Sequence, residues 1–203
     1  GLAGSEAALV LADAGVSVLL IDMKPNAFTA AHKNKDFAEL VCSNSFKSKE
    51  LHTAPGLQKA ELRLLGSKLL ESAEKYEVPA GAALDVDRSR FSREVTERIF
   101  SHPHIRVLSK TAEAIPPEGI CLIASGPLTG GGLFEAVKKR LHSETLYFYD
   151  AAAPIIAADS VDMRIAYEKS RYDKGEAAYI NCPFTKEAYE AFYLALITAE
   201  LAD

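Results

Sequence analysis

The chain has 203 residues, 48% of them hydrophobic and 25% charged, with a formal net charge of −5. That much apolar surface excludes a disordered chain, and no apolar run approaches the ~18–20 residues of a bilayer-crossing helix. The acidic balance weighs against a general nucleic-acid-binding domain while leaving room for a local basic patch. Three scattered cysteines, Cys42, Cys121 and Cys182, contain no CxxC pair; they suit a reducing cytoplasm and make neither a zinc nor a disulfide framework. The chain opens at Gly1 without a Met or a cationic-then-apolar leader, and is read as a cytoplasmic fragment truncated at both ends.

In chain order, Ser5 to Ala14 has small and apolar residues at helical spacing, with Gly15 where a left-handed helix end favours glycine. Val16 to Ile21, closed by Asp22, is a nearly continuous apolar run that reads as a buried parallel strand. Residues 24–56 are polar and irregular, a length that inside a compact chain usually serves function. Gly56 to Tyr76 reads as one long amphipathic helix with Leu57, Leu62, Leu65, Leu69 and Ala73 on its apolar face. Val78-Pro79-Ala80-Gly81 ends it. Ala83 to Val86 is a short strand, Ser89 to Phe100 a helix, and Ile105 to Leu108 and Ile120 to Ala124 two more strands. Leu133 to Leu141 is a helix and Thr145 to Tyr149 a strand. This alternation specifies an α/β fold with a layered parallel sheet. From Asp150 the texture shifts to longer polar loops, closing with a helix from Thr185 to about Leu201, so a domain boundary is expected between 1–149 and 150–203.

Gly1-x-x-Gly4, a helix, a strand and then Asp22 make the back half of a dinucleotide-binding fingerprint. Gly1 lets the backbone approach a pyrophosphate, Gly4 lets the helix pack closely, the helix N-terminus supplies amide donors, and Asp22 accepts from a ribose about 20 residues on. The same spacing also serves an ordinary glycine turn ahead of an α/β helix. Asp87 is most simply the N-cap of its helix. The loop at the end of a strand is also where ligands sit, which sets Arg88 among the cofactor-binding candidates. Ser125-Gly126-Pro127 is a tight turn that permits close backbone approach to a cofactor, or is only a turn.

Cys42, among Ser and Asn with Lys47 and Lys49 nearby, is either a reactive thiolate or a small buried hydrophobe. Cys121, in an apolar run, is expected in the core, and Cys182 is expected to be structural. Six lysines against three acids over residues 24–59, and five basic residues against three acids with interleaved tyrosines over 164–186, form basic stretches. Such stretches either contact RNA phosphates and stack on bases or are solvated charged faces. The five histidines show no ligand spacing, and no metal is expected.

Taken together, GLAGSEAA, FAELVCSNS, VPAGAALDVDR, LIASGPLT, LYFYDAAAPI with ADSVDM, and KSRYDKGEAAYINCP resemble the folate- and FAD-dependent tRNA uridine-5-methyltransferases (TrmFO, formerly Gid), over essentially the whole chain. The resemblance implies a Rossmann-like FAD-binding domain with part of an inserted smaller α/β domain. The implied reaction moves a methylene group from 5,10-methylenetetrahydrofolate to C5 of the T-loop uridine of tRNA, with flavin reduced by NAD(P)H. It assigns the glycine-rich loop to Gly1 and Gly4, the acid after the strand to Asp22 (usually Glu), the cofactor-side turn to Ser125 and Gly126, and the flavin-proximal cysteine to Cys42. His32-Lys33 stands where the family commonly has two histidines, and Phe46-Lys47 where it commonly has Leu-Arg. The family's second functional cysteine falls beyond Asp203, so Cys182 does not inherit that role. Alternatives are the same chemistry on a ribosomal RNA uridine, the related wobble-uridine flavoproteins, or a non-catalytic FAD- and RNA-binding remnant. The intact ELVCSNS string favours the first family over the wobble-uridine one.

Overall fold

A computed structural model describes residues 1–142, 156–170, 173 and 176–200, which divide into two compact units. In the first, α1 (Leu2–Asp13) leads into β1 (Val18–Asp22), which pairs in parallel with β5 (Ile105–Ser109) from Val18 opposite Ile105 to Asp22 opposite Ser109. Gly15, at φ +83°, ends α1 as expected: its N–H donates to Ala12 and that of Val16 to Leu11, satisfying two of the helix's terminal carbonyls.

Between β1 and β5 lie β2 (Ser45–Ser48), α2 (Ala54–Leu64), α3 (Lys68–Lys75), β3 (Glu77–Val78), β4 (Ala83–Val86) and α4 (Arg88–Ser101). The parallel sheet read from the sequence is therefore only one part of the strand system. β2, β4 and β3 form a separate antiparallel sheet, in that order. The reason is local: β3 and β4 are joined by a four-residue Pro-Gly turn, and so short a connection permits only antiparallel pairing. The expected single helix over 56–76 is two helices. Ser67 caps α3 through a bond from Leu70 N–H (3.2 Å), and Leu64 and Leu65 at the break are exposed.

The core sits where α1, α3 and α4 meet β4, and gathers Leu9, Leu69, Leu70, Ala73, Leu84, Val86, Phe91, Val95 and Ile99. Phe37 and Ala38, from the irregular segment after β1, are buried in the same cluster. Leu20 of β1 and Val107 of β5 pack against its margin. Of the apolar face expected along 56–76, Leu69 and Ala73 are buried and Leu57 and Leu65 are not. α5 (Gly131–Leu141) follows, with the Glu113 carboxylate accepting from Gly132 N–H at 2.9 Å.

Ile120 to Ala124 is not a strand. Ile120, Leu122, Ile123 and Cys121 are exposed, because no strand of the described residues offers this segment a hydrogen-bonding partner. Cys121 is a surface residue rather than a core one. The strand expected over 145–149 and the boundary at Asp150 lie outside the described residues.

The second unit contains a short 3-10 turn (Ala158–Ser160), the antiparallel pair β6 (Tyr167–Lys169) and β7 (Tyr179–Asn181), and α6 (Lys186–Ile197). Thr185 caps α6 by accepting from Ala188 N–H at 3.2 Å. Tyr179 donates its hydroxyl to the Ala80 carbonyl at 3.2 Å. No helix among the described residues is long and apolar enough to cross a membrane.

Candidate functional site

The N-terminus of α1, the end of β1 and the Ser125-Gly126 turn come together at one edge of the first unit. Asp22 closes β1; its Oδ1 accepts from Lys24 N–H at 2.9 Å and its Oδ2 lies 4.0 Å from the Gly1 nitrogen. A Cβ placed on Gly4 would stand 3.4 Å from Ala124 Cβ, so α1 and the segment entering the turn approach one another closely here. At the turn, Gly126 takes φ +76°, and Thr129 Oγ1 lies 2.6 Å from both Ser125 Oγ and the Gly126 carbonyl oxygen. A side chain at 126 would be strained in that left-handed conformation.

The helix termini distinguish this edge. Thr53, Ser67, Asp87 and Thr185 cap α2, α3, α4 and α6, and Glu113 serves α5. Among the described residues no side chain accepts from the first turn of α1, whose N-cap is Gly1. Amides and a macrodipole at such a helix end favour an anion there. The donor set of free amides, a carboxylate at the adjoining strand end and a glycine turn opposite fits a dinucleotide with its pyrophosphate at the helix end and a ribose at Asp22.

Beside Asp22, Lys24 is buried at 5% exposure, donates to the Asp36 carbonyl and stands 3.8 Å from Glu39 Oε2. Glu39 Oε1 accepts from Lys33 N–H at 2.9 Å and Asn34 N–H at 3.1 Å, folding the loop onto itself. His32 shares a 2.6 Å hydrogen bond with Thr29 Oγ1. Burial, with the Lys24 charge second, holds its imidazole below the ordinary value, against the opposing pull of Glu39 and Asp22. Lys24 and Glu39 enter the sequence reading only as charges of the basic stretch over 24–59, and His32 only through the departure at His32-Lys33.

Cys42 is exposed, on an irregular loop just before β2. Of the two lysines expected to favour its thiolate, Lys49 is ion-paired with Glu77 and Lys47 is exposed. Arg88, expected at the cofactor, donates Nη1 to the Leu40 carbonyl at 3.2 Å. Asp87 is the cap the sequence indicates, its Oδ1 accepting from Ser89 and Arg90 N–H at 3.1 Å each. In the second unit the described basic residues of the 164–186 stretch pair locally: Arg164 forks onto Asp162 at 2.7 and 2.9 Å, Lys169 meets Asp173 at 3.1 Å and Lys186 meets Glu190 at 3.7 Å. Cys182 is exposed. No cluster of three metal-ligating side chains occurs among the described residues.

Residues 1–202 match the family described as glucose inhibited division protein A. Among curated relatives, the chain is 54% identical over 200 residues to the methylenetetrahydrofolate--tRNA-(uracil-5-)-methyltransferase of Bacillus velezensis, covering 98% of this chain and 46% of that protein. It is 52% identical over 203 residues to the protein of the same name from Lactobacillus delbrueckii subsp. bulgaricus, covering 100% of this chain and 46% of that one. A third, from Listeria innocua, is 52% identical over 202 residues, with the same shares. The chain thus spans about half the length of the curated relatives it matches.

Proposed function

The chain belongs to the glucose inhibited division protein A family, and from that premise we propose that the full-length protein carrying it is a cytoplasmic enzyme that methylates C5 of the T-loop uridine of tRNA. The one-carbon unit comes from 5,10-methylenetetrahydrofolate, and NAD(P)H is the reductant. The observation that carries this reading is the extent of the likeness: relatives named for that reaction match at 52–54% identity across nearly every residue of the chain. Residues 1–149 are read as the cofactor domain and 150–203 as the start of an inserted one.

FAD is the cofactor in this reading, and bound it supplies the electrons that turn methylene into methyl. The free amides of the first turn of α1, beginning at Gly1, would hold its pyrophosphate. Asp22 would accept from a ribose hydroxyl, and Gly4 would keep α1 close to Ala124, so that the Ser125-Gly126 turn borders the same seat. Cys42 would provide the thiolate, either adding at C6 of the uracil to make C5 nucleophilic or holding the activated one-carbon unit beside the base. Its exposure suits a group that meets a macromolecular substrate.

The test is to incubate the full-length, flavin-loaded protein with an unmodified tRNA transcript, methylenetetrahydrofolate and NADPH, and to quantify 5-methyluridine by nucleoside mass spectrometry. Folate-dependent product is expected. Its absence from flavin-loaded protein contradicts the reading.

A further inference from the structure

The loop bearing Cys42 is fixed on both sides of the cysteine, to the first turn of α4 before it and to the end of β4 after it. Before it, the Leu40 carbonyl accepts from Arg88 Nη1 at 3.2 Å. After it, Val86 N–H donates to the Asn44 carbonyl at 2.9 Å, and Asn44 Nδ2 returns a bond to the Val86 carbonyl at 3.2 Å. Earlier in the loop, Phe37 N–H donates to Thr96 Oγ1 at 2.8 Å and Asn34 Nδ2 to Ser92 Oγ at 3.4 Å. Arg88, Ser92 and Thr96 are spaced by four and so share one face of α4, along which residues 34–40 are laid. Val41 and Cys42 lie between the anchors, with the cysteine exposed.

Arg88 is an odd residue for its place. It is the first residue of α4 after the Asp87 cap, where a cation opposes the helix dipole. Among the described residues no carboxylate pairs with it, and the one hydrogen bond its side chain makes is to the Leu40 carbonyl. A planar, permanently charged donor at the end of a long side chain is suited to pin a carbonyl across a gap.

We propose that Arg88 is a positioning residue for Cys42: it fixes the Leu40 carbonyl, and through it the direction from which the thiol meets its reaction partner. This rests on the reading of Cys42 as the reactive thiol. Loss of the anchor loosens a loop that otherwise holds one approach, and misplacing a reacting group by an ångström or so costs rate steeply.

The test uses the full-length flavoprotein and the variants Arg88→Met, Arg88→Lys, Cys42→Ala and, as a control, Arg90→Met, whose exposed side chain pairs with Asp87. Flavin content, kcat and KM for tRNA are measured together with the iodoacetamide alkylation rate of each cysteine by peptide mass spectrometry, exposed Cys121 and Cys182 serving as internal references. Arg88→Met is expected to keep its flavin and a KM within about twofold while kcat falls about tenfold or more. The Cys42 alkylation rate should shift several-fold with the reference cysteines unchanged. Arg88→Lys should fall between wild type and Met, because an ammonium can reach the same carbonyl from a less ordered stem; Arg90→Met should match wild type. Wild-type kcat and alkylation in Arg88→Met overturn the proposal, and so does loss of flavin with Cys42 alkylation unchanged, which would make Arg88 a cofactor ligand. If the Met variant does not fold, Arg88→Lys decides through the same alkylation readout, a wild-type rate overturning the proposal. Undiminished turnover in Cys42→Ala removes the reading of Cys42 itself, whereas the alkylation rates still report whether Arg88 holds the loop.

Discussion

Gly4 and Ala124 meet across 120 residues of sequence, so that a Cβ added at Gly4 would stand 3.4 Å from the Ala124 Cβ. This contact joins the glycine-rich end of α1 to the segment entering the Ser125-Gly126 turn, and both are proposed to border one cofactor. Gly4→Ala should therefore leave flavin occupancy near wild type, since 3.4 Å is a close but ordinary carbon contact. Gly4→Val adds two methyl groups beyond that Cβ at the Ala124 contact, and should purify with most of its FAD lost. Flavin absorbance per protein checks both. Full occupancy in the valine variant would count against the seat.

Glu6 ties α1 to α3. Its two carboxylate oxygens accept from Lys68 N–H at 3.0 Å and Leu69 N–H at 2.8 Å, a cap supplied from another helix. Anions at a helix N-terminus gain from both the bonds and the dipole. Glu6→Ala is expected to cost about 1–2 kcal/mol of stability, read as a lower denaturant midpoint with unchanged slope. A midpoint equal to wild type would mean the α1–α3 packing does not depend on this carboxylate.

His32 gives the stability a pH dependence of definite sign. Its imidazole is held below the ordinary value of 6.5 by burial first and the Lys24 charge second, with Glu39 and Asp22 pulling the other way. As pH falls below 6.5 the unfolded chain takes up this proton before the folded one does, so this contribution is full above that value. It declines as pH drops toward the lower folded value. Asp13 and Glu94, held below 3.8 and 4.5 by hydrogen bonds to Lys68 and Lys75 respectively, lose their contributions only in stronger acid. Denaturant midpoints measured from about pH 8 to about pH 5.5 should fall for wild type and fall less for His32→Gln. Parallel profiles would show that another group sets the slope.

Much of the local structure was legible because local chemistry decides it. Gly15 ends α1, Asp87 and Thr185 cap α4 and α6, and β4 has the boundaries its apolar pattern indicates. What escaped the sequence is long-range. β2 has no alternation strong enough to announce it and is held by pairing with β4. Ile120 to Ala124 has strand composition but no pairing partner among the described residues. Arg88 reads as a cofactor-binding candidate, yet with Ser92 and Thr96 it holds the preceding loop, two of the three taking loop backbone groups and the third a loop side chain. The basic stretch over 164–186 reads either as an RNA-contacting surface or as a solvated charged face, and Arg164, Lys169 and Lys186 each find an acid two to four residues away. Of the site, Gly1, Gly4 and Asp22 follow from motif spacing alone; Lys24, His32 and Glu39 beside them depend on how an irregular loop folds back.

The most direct test of the proposed chemistry follows an isotopically labelled methylene carbon from methylenetetrahydrofolate into tRNA, with wild-type and Cys42→Ala full-length proteins compared at equal flavin content. Cys42 is exposed and outside the buried core, so its replacement should leave folding and flavin intact. Label in 5-methyluridine with the wild type, and none above background with Cys42→Ala, is the expected result. Equal labelling by the two proteins would contradict the role given to Cys42, and no label from either would contradict the reaction itself.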